Sequence, residues 1–395
     1  MAGPGSQWIG EEEKCELLDV LSSGYLFRYG RLDDPGFKHK VYSFEQEFAA
    51  WTGVRYALAT SSGTGALICA LKAVGIEPGD EVIVPAYTFI ASFSAVISAG
   101  GVPILTEIDD SLNIDPNDIE RRLKPRTKAV MPVHMLGNPC AMDEISDICR
   151  KRGLRLIEDA CQANGASYHG RKIGSIGEIG AFSLNIFKTV TSGDGGAVVT
   201  DDEALYRLAF GYHDQGHAPL RAGVEVGERS ILGMNFRMNE LTGAVALAQI
   251  RKIDRVLAVL REKKKLFKEL IADIPGVGFR KLNDPAGECA TLLTVIFDSA
   301  DRAGRVSRAL GTKTVDNSGW HVYSNMEHFG RYLKDCGLPF GRGAYPRTDD
   351  ILSRSINLSV GVVDAGLGAA FGINIDSSGD EIRAAARKFR EACRG

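Results

Sequence analysis

From residue 43 to about residue 255 the chain alternates short, nearly continuous apolar runs with stretches of helical periodicity. EVIVPA, VPILTEI, KAVMPVH and LRLIED read as strands buried on both faces, with SSGTGALICALKAVG, FIASFSAVISAG and AMDEISDICRKRG as the helices among them. Such alternation predicts a largely parallel sheet covered by helices on both sides, an α/β domain. GAFSL and GGAVVT stand too close together for a crossover helix, so that part of the sheet holds a neighbouring or antiparallel strand. NELTGAVALAQIRKIDRVLAVLREKKKLFKELIADI then keeps helical periodicity with no glycine or proline between Gly243 and Pro275, and predicts one long helix leading out of the domain. Beyond Gly276 come strand TLLTVIFDS, helix DRAGRVSRALG, a loop-rich stretch from Thr314 to Arg347, strand SINLSV and a last helix SGDEIRAAARKFREAC. That is the pattern of a smaller α+β domain. The expected division is into residues 1–255 and 256–395, with the change near 255–275.

Charge and composition narrow the function. Lys+Arg 47 against Asp+Glu 50 leaves a net charge of -3, and no block of like charge forms a basic tail, so nucleic acid is not an expected partner. The start MAGPGSQWIGEEEK has no signal-peptide pattern and no apolar run is long enough to span a bilayer; a soluble cytoplasmic protein acting on small molecules is expected. The 8 cysteines are scattered, nowhere at the short spacing of a zinc or redox motif, and are expected to be reduced and mostly buried. His213 and His217 stand four apart without a third ligand at a telling spacing, so a solvated loop or helix face is expected there and no metal. REKKKLFKEL reads as a solvated helix face. The 45 glycines call for places where the backbone turns or approaches something closely.

Three stretches carry candidate chemistry. In ATSSGTGALICAL, Ser61, Ser62, Gly63 and Thr64 precede an apolar helix; this is an ordinary helix cap or, in company, a cradle whose free N–H groups face a phosphate. Asp159 ends the strand LRLIE, at the carboxyl edge where open α/β sheets bind ligands. Read alone it is as well explained as a helix cap, but a buried acid there calls for a cation. In GAFSLNIFKTVTSGDGGAVVT, Lys188 lies among Phe182, Leu184, Ile186, Phe187 and Val190, with Ser183 before it and Gly193, Gly195 and Gly196 after. Such a lysine either snorkels to the surface or, desolvated, offers a neutral amine to a carbonyl. An anion cradle, a carboxylate and a reactive lysine match the phosphate, the ring nitrogen and the aldehyde of pyridoxal 5'-phosphate.

With these motifs in order, the sequence resembles the DegT/DnrJ/EryC1/StrS sugar aminotransferases, of the fold type I (aspartate aminotransferase) class of pyridoxal phosphate enzymes. The likeness runs from GYLFRYG through SSGTGAL, GDEVIVPAYTFIAS, LIEDACQANGA, GAFSLNIFKTVTSGDGGAVVTDD and LGMNFRMNEL to WHVYSNM and SRSINLSV. It implies that Lys188 holds the cofactor as a Schiff base and shuttles the proton. It further implies that Asp159 pairs with the pyridinium nitrogen, Gln162 with the ring's phenolic oxygen, and that Phe89 stacks on the ring. Gly63, Thr64 and Ser183 would hold the phosphate, with Asn235 supplied by the neighbouring subunit of a homodimer. Arg237, His321 and Tyr323 match positions that approach the substrate. Asp194 and Asn164 depart from the Glu and His frequent in the family, and neither is a primary cofactor contact. The family's dehydrating branch has histidine at the lysine position, where Lys188 stands here.

The implied reaction moves an amino group from L-glutamate or L-glutamine to a keto-sugar, expected to be nucleotide-linked, in aminosugar biosynthesis. A cyclitol (inosose) aminotransferase or an aminohydroxybenzoate-forming enzyme of the same family is the nearest alternative, and a non-catalytic cofactor-binding regulator lies in a different class. Loops 213–232 and 314–347 are expected to decide the substrate.

Overall fold

The computed structural model describes residues 3–31, 33–219, 229 and 231–394. Its larger sheet is built from β1 (Tyr56–Thr60), β2 (Glu81–Pro85), β3 (Val102–Thr106), β4 (Thr127–Val130) and β5 (Arg155–Asp159). After a small ribbon of β6 (Ser167–Tyr168) and β7 (Arg171–Lys172), β8 (Ile179–Ser183) and β9 (Gly196–Thr200) complete it. The order is β1-β9-β8-β5-β4-β2-β3. β3 through β8 pair in parallel, and β9 runs antiparallel to both β8 and β1, the reversal expected where GAFSL and GGAVVT crowd together.

Apolar residues on successive positions serve opposite faces, because side chains alternate along a strand. Val82 and Val84 join the core under the helices Gly63–Ala73 and Ile90–Ser98, while Ile83 joins the core against Lys40–Thr52 and Glu240–Ile250. A second sheet, β10 (Val277–Phe279), β11 (Leu292–Phe297) and β12 (Ser355–Ser359), is antiparallel and packs with Ala300–Ala309 and Gly379–Arg394 around a third core. The carboxyl ends of β5 and β8, Asp159 and Ser183, open on the same edge as the start of the helix at Gly63.

The structure differs from the sequence pattern in several places. The expected long helix is two, Glu240–Ile250 and Ile253–Glu269. The buried Gln249 just before the break accepts a hydrogen bond from Thr191 N and donates to Gly5 O and Glu13, and Lys252 Nζ is drawn to Trp8 O and Glu13. The N-terminal segment therefore docks at the break, a contact that helical periodicity does not encode. The loop-rich stretch holds a helix, Glu327–Asp335, whose Phe329 stacks on Phe93 with ring centroids 4.3 Å apart. Cys69, Cys140, Cys149 and Cys289 are buried as expected, but Cys15 and Cys336 are exposed. His213 is fully buried rather than on a solvated face. In the expected specificity loop 213–232, residues 220–228 and 230 lie outside the described residues. Among the described residues no helix is long and apolar enough to cross a membrane.

Candidate active site

At the carboxyl edge of the larger sheet lies a cavity of about 300 Å³. Ser62 caps the helix Gly63–Ala73 by accepting a hydrogen bond from Gly65 N at 3.0 Å. The N–H groups of Gly63 and Thr64, in the first turn, have no intrahelical acceptor and stand on the cavity wall. Glycine is needed at 63 for a steric reason: a Cβ there would lie 2.6 Å from the Cβ of Ser183, at the end of β8. The same economy applies at the start of β9, where a Cβ at Gly196 would lie 2.5 Å from Ser62 O. Two backbone N–H groups and the Ser183 hydroxyl thus converge at a positive helix end, a donor set suited to a phosphate.

Asp159 is 2% exposed at the end of β5. Its Oδ2 accepts from Ser92 Oγ at 2.7 Å and its Oδ1 from Cys161 N at 3.1 Å. Ser92 is in turn 2.7 Å from Thr88 Oγ1, so both carboxylate oxygens are aimed by the protein. The neighbouring strand residue, Glu158, faces the other side of the sheet. Burial would raise its carboxyl, but His134 Nε2 at 3.1 Å and the N–H groups of Gly174, Ile176 and Gly177 hold it below the ordinary value. That network anchors the end of β5 from behind.

Lys188 lines the same cavity from the turn between β8 and β9, with its N–H on Asn185 O at 2.9 Å. Burial lowers the pKa of its amine, opposed by the charges of Asp159 and Asp364. An amine with a lowered pKa is the nucleophile that carbonyl chemistry needs. Cys161 stands beside it, and burial pushes its thiol well above the ordinary range, so it remains a neutral thiol. Gln162 is on the wall with Oε1 accepting from Leu136 N at 3.2 Å, which leaves its amide N–H2 to donate.

Residues 320–323 reach this site from the connection between β11 and β12 of the second sheet. They run antiparallel to 86–90: Thr88 N donates to His321 O at 3.0 Å and Ile90 N to Trp320 O at 3.1 Å. Phe89 is 40% exposed at the cavity and His321 packs on it with ring centroids 5.1 Å apart. Burial, with the nearby Lys188 charge, lowers the His321 imidazole to about 3, so it is neutral. Its Nδ1 and the Oδ1 of Asn164 are buried polar atoms with no partner among the described residues, although Asn164 Nδ2 donates to Ser183 O at 2.7 Å.

Of the residues singled out in the sequence, Gly63, Thr64, Phe89, Asp159, Gln162, Ser183, Lys188 and His321 therefore meet in one cavity. Three do not. Tyr323 is fully buried behind it, its hydroxyl donating to Gly341 O at 2.9 Å and packed near Asp349. Asn235 pairs through its backbone with Asp214, and its Oδ1 accepts from Arg237 N at 3.3 Å. Arg237 forms an ion pair with Asp214. Asp364 and Asn164 are on the wall but were not among the sequence candidates; Asp364 comes from a turn it caps itself, accepting from Gly366 N at 2.7 Å, and nothing in its local sequence marks it.

The donor set, the Asp159 carboxylate, which forms no ion pair among the described residues, and the lysine fit pyridoxal 5'-phosphate. Comparison with known proteins agrees. The profile of the DegT/DnrJ/EryC1/StrS aminotransferase family matches residues 8–363. The spore coat polysaccharide biosynthesis protein SpsC of Bacillus subtilis is 34% identical over 86% of this chain and 89% of its own. GDP-perosamine synthase of Vibrio cholerae is 34% identical over 67% of this chain and 69% of its own. The crystal structure of 3-amino-5-hydroxybenzoic acid synthase superposes with a TM-score of 0.82, at 30% identity, over 99% of this chain and 98% of that one.

Proposed function

The chain belongs to the DegT/DnrJ/EryC1/StrS aminotransferase family, and from that premise we propose that it transfers an amino group from L-glutamate or L-glutamine to a nucleotide-linked keto-sugar. The observation that carries this reading is the meeting of Lys188, Asp159 and the Gly63–Thr64 N–H groups in one cavity. Pyridoxal 5'-phosphate, the cofactor that the family implies, supplies there an aldehyde that captures amines and a ring that withdraws electrons from the neighbouring carbon. Gly63 N, Thr64 N and Ser183 Oγ bind its phosphate. Asp159, aimed by Ser92 and Cys161 N, holds the proton of the ring nitrogen. Gln162 donates to the ring oxygen and Phe89 covers one face. Lys188 Nζ would hold the cofactor at its aldehyde and, with its amine pKa lowered by burial, would act as the general base and acid that moves a proton during transfer. Lys188 would return the proton in the second half of the transfer, when the keto-sugar takes up the amino group.

On this reading the acceptor is the kind of sugar that the name GDP-perosamine synthase indicates for a relative. The likeness to relatives named L-glutamine:2-deoxy-scyllo-inosose aminotransferase supports a second acceptor class, an inosose, and the likeness to 3-amino-5-hydroxybenzoic acid synthase an aminohydroxybenzoate-forming reaction. The functional unit is a homodimer in which Asn235 reaches the phosphate of the neighbouring site, and residues 1–255 form the cofactor-binding part beside a smaller part, 256–395.

Lys188→Ala is expected to lower turnover by at least the roughly 10²–10⁴-fold that positioned proton transfer contributes. Borohydride reduction and peptide mapping are expected to label Lys188; a label elsewhere overturns the site. A donor-coupled assay across nucleotide-linked keto-sugars and an inosose separates the two acceptor classes. A cofactor spectrum unmoved by either amino donor would point instead to a non-catalytic binding protein.

A further inference from the structure

Leu136, on the cavity wall, has left-handed backbone (φ 55°, ψ 33°), a conformation leucine seldom adopts. Such a residue persists only where its surroundings hold it. Here the restraint comes from a distant segment. Arg280, following β10, donates from Nη1 to Met135 O at 3.0 Å and from Nη2 to Leu136 O at 3.1 Å. It is 4% exposed, and its own N–H is tied to Thr294 O on β11 at 3.2 Å. From the other side, Asn113 Oδ1 accepts from Met135 N at 3.0 Å. A guanidinium is costly to bury unless its donors are used. Two of them are used here on the carbonyls of a single turn.

The consequence falls on Gln162. Leu136 N donates to Gln162 Oε1, which fixes which end of that amide faces the turn and which end faces the cavity. A carboxamide free to rotate would offer either a carbonyl or an amino group; one with its oxygen held offers its N–H2 alone. An anionic ring oxygen needs that donor.

We propose that Arg280 is a positioning residue for cofactor binding: by clamping the carbonyls of Met135 and Leu136 it sets the Leu136 N–H, and through it the donor end of Gln162. Arg280, which is not among the cavity-lining residues, thereby acts on the cofactor site without touching the cofactor. This rests on the reading of Gln162 as the partner of the ring oxygen. Replacing Arg280 frees the turn, lets the Leu136 peptide leave its left-handed conformation and releases the Gln162 amide.

The test titrates cofactor-free protein with pyridoxal 5'-phosphate and records affinity and the wavelength of the bound cofactor's absorption for Gln162→Ala, Arg280→Met, Arg280→Lys and the double variant Gln162→Ala/Arg280→Met. Gln162→Ala is expected to weaken binding roughly tenfold, as loss of a hydrogen bond to a charged group does, and to shift the band. Arg280→Met is expected to reproduce both changes, Arg280→Lys to recover part of each, and the double variant to be within about twofold of Gln162→Ala. If Gln162→Ala moves both readouts while Arg280→Met moves neither, or if the two losses multiply, the clamp is wrong. If Gln162→Ala itself moves nothing, the reading of Gln162 fails and takes the proposal with it. Should Arg280→Met not fold, measuring the effect of Arg280→Lys with and without Gln162→Ala makes the same decision.

Discussion

Two histidines show how far a single residue's chemistry can depart from what its neighbours in sequence suggest. His321, in a polar-looking loop, is a neutral ring packed on Phe89 in the cavity, and His213 is buried against a cation. His213 Nδ1 donates to Phe210 O at 2.6 Å, so its Nε2 is the acceptor for Arg28 Nη1 at 3.0 Å, and Arg28 is held in turn by Glu45 at 2.8 Å. A proton on Nε2 would face a guanidinium. Burial, reinforced by Arg28, accordingly lowers the His213 imidazole well below its ordinary 6.5. Below about pH 6.5 the unfolded chain takes up a proton there that the folded chain refuses, so stability falls as pH falls, by up to about 1.4 kcal/mol per pH unit for one such group. His213→Gln keeps an acceptor for Arg28 and removes the titration. Urea unfolding between about pH 7.5 and 5.5 is therefore expected to show a shallower acid decline in that variant, and equal slopes would count against the assignment. Nothing in GYHDQGH announces this burial, because Arg28 and Glu45 come from far earlier in the chain. Asp159 and Lys188 were legible for the opposite reason. A strand end and an apolar run mark them locally, whereas Arg280 meets the carbonyls of Met135 and Leu136, and Asp364 the cavity, only once the chain is folded.

At the scale of elements, the strands were the readable part, since a run buried on both faces writes its apolar character at every position. The breaks were not. The kink between Ile250 and Ile253 depends on Gln249 and on the docked segment near Gly5 and Trp8, and the helix Glu327–Asp335 shows only a narrow apolar stripe in an otherwise polar stretch. The junction of the helix Gly63–Ala73 with β8 and β9 combines both kinds of information: its glycines are visible in sequence, their reason only in space. Gly63 and Gly196 let the helix start approach the sheet closely enough for the N–H groups and Ser183 to act together. Gly63→Ala sets a Cβ against Ser183, a backbone-near overlap that a flexible side chain cannot absorb. Overpacking of this kind costs about 1–3 kcal/mol, and because it displaces the cradle itself the loss should appear as cofactor affinity reduced roughly tenfold or more. Titration of the cofactor-free variant measures it; wild-type affinity would mean the phosphate sits elsewhere.

Among the described residues, several large apolar side chains of two neighbouring segments are exposed. Leu26 and Phe27 are 47% and 48% exposed, Met234 55% and Leu232 93%. The two segments adjoin, with Glu240 N on Leu26 O at 3.0 Å and the Arg237 guanidinium over the Phe27 ring at 5.7 Å. Exposed apolar groups gathered in this way mark an interaction surface, and the surface carries Asn235, which stands apart from its own chain's cavity. In the homodimer proposed above this surface would be the covered one, with Asn235 crossing to the other chain's phosphate cradle. The near-zero net charge fits such a site, because its positive potential comes from a helix end and single side chains, not from bulk charge. The arrangement has a decisive consequence for mixed dimers. Lys188→Ala and Asn235→Asp chains, co-expressed with different tags and purified through both, give dimers with one doubly altered site and one intact site if Asn235 crosses over. Each parent dimer is expected to be inactive or nearly so, the first for want of the lysine and the second because a carboxylate faces the phosphate, while the mixed dimer should have about half the wild-type activity. If each chain used its own Asn235, both sites of the mixed dimer would be damaged and no activity would return.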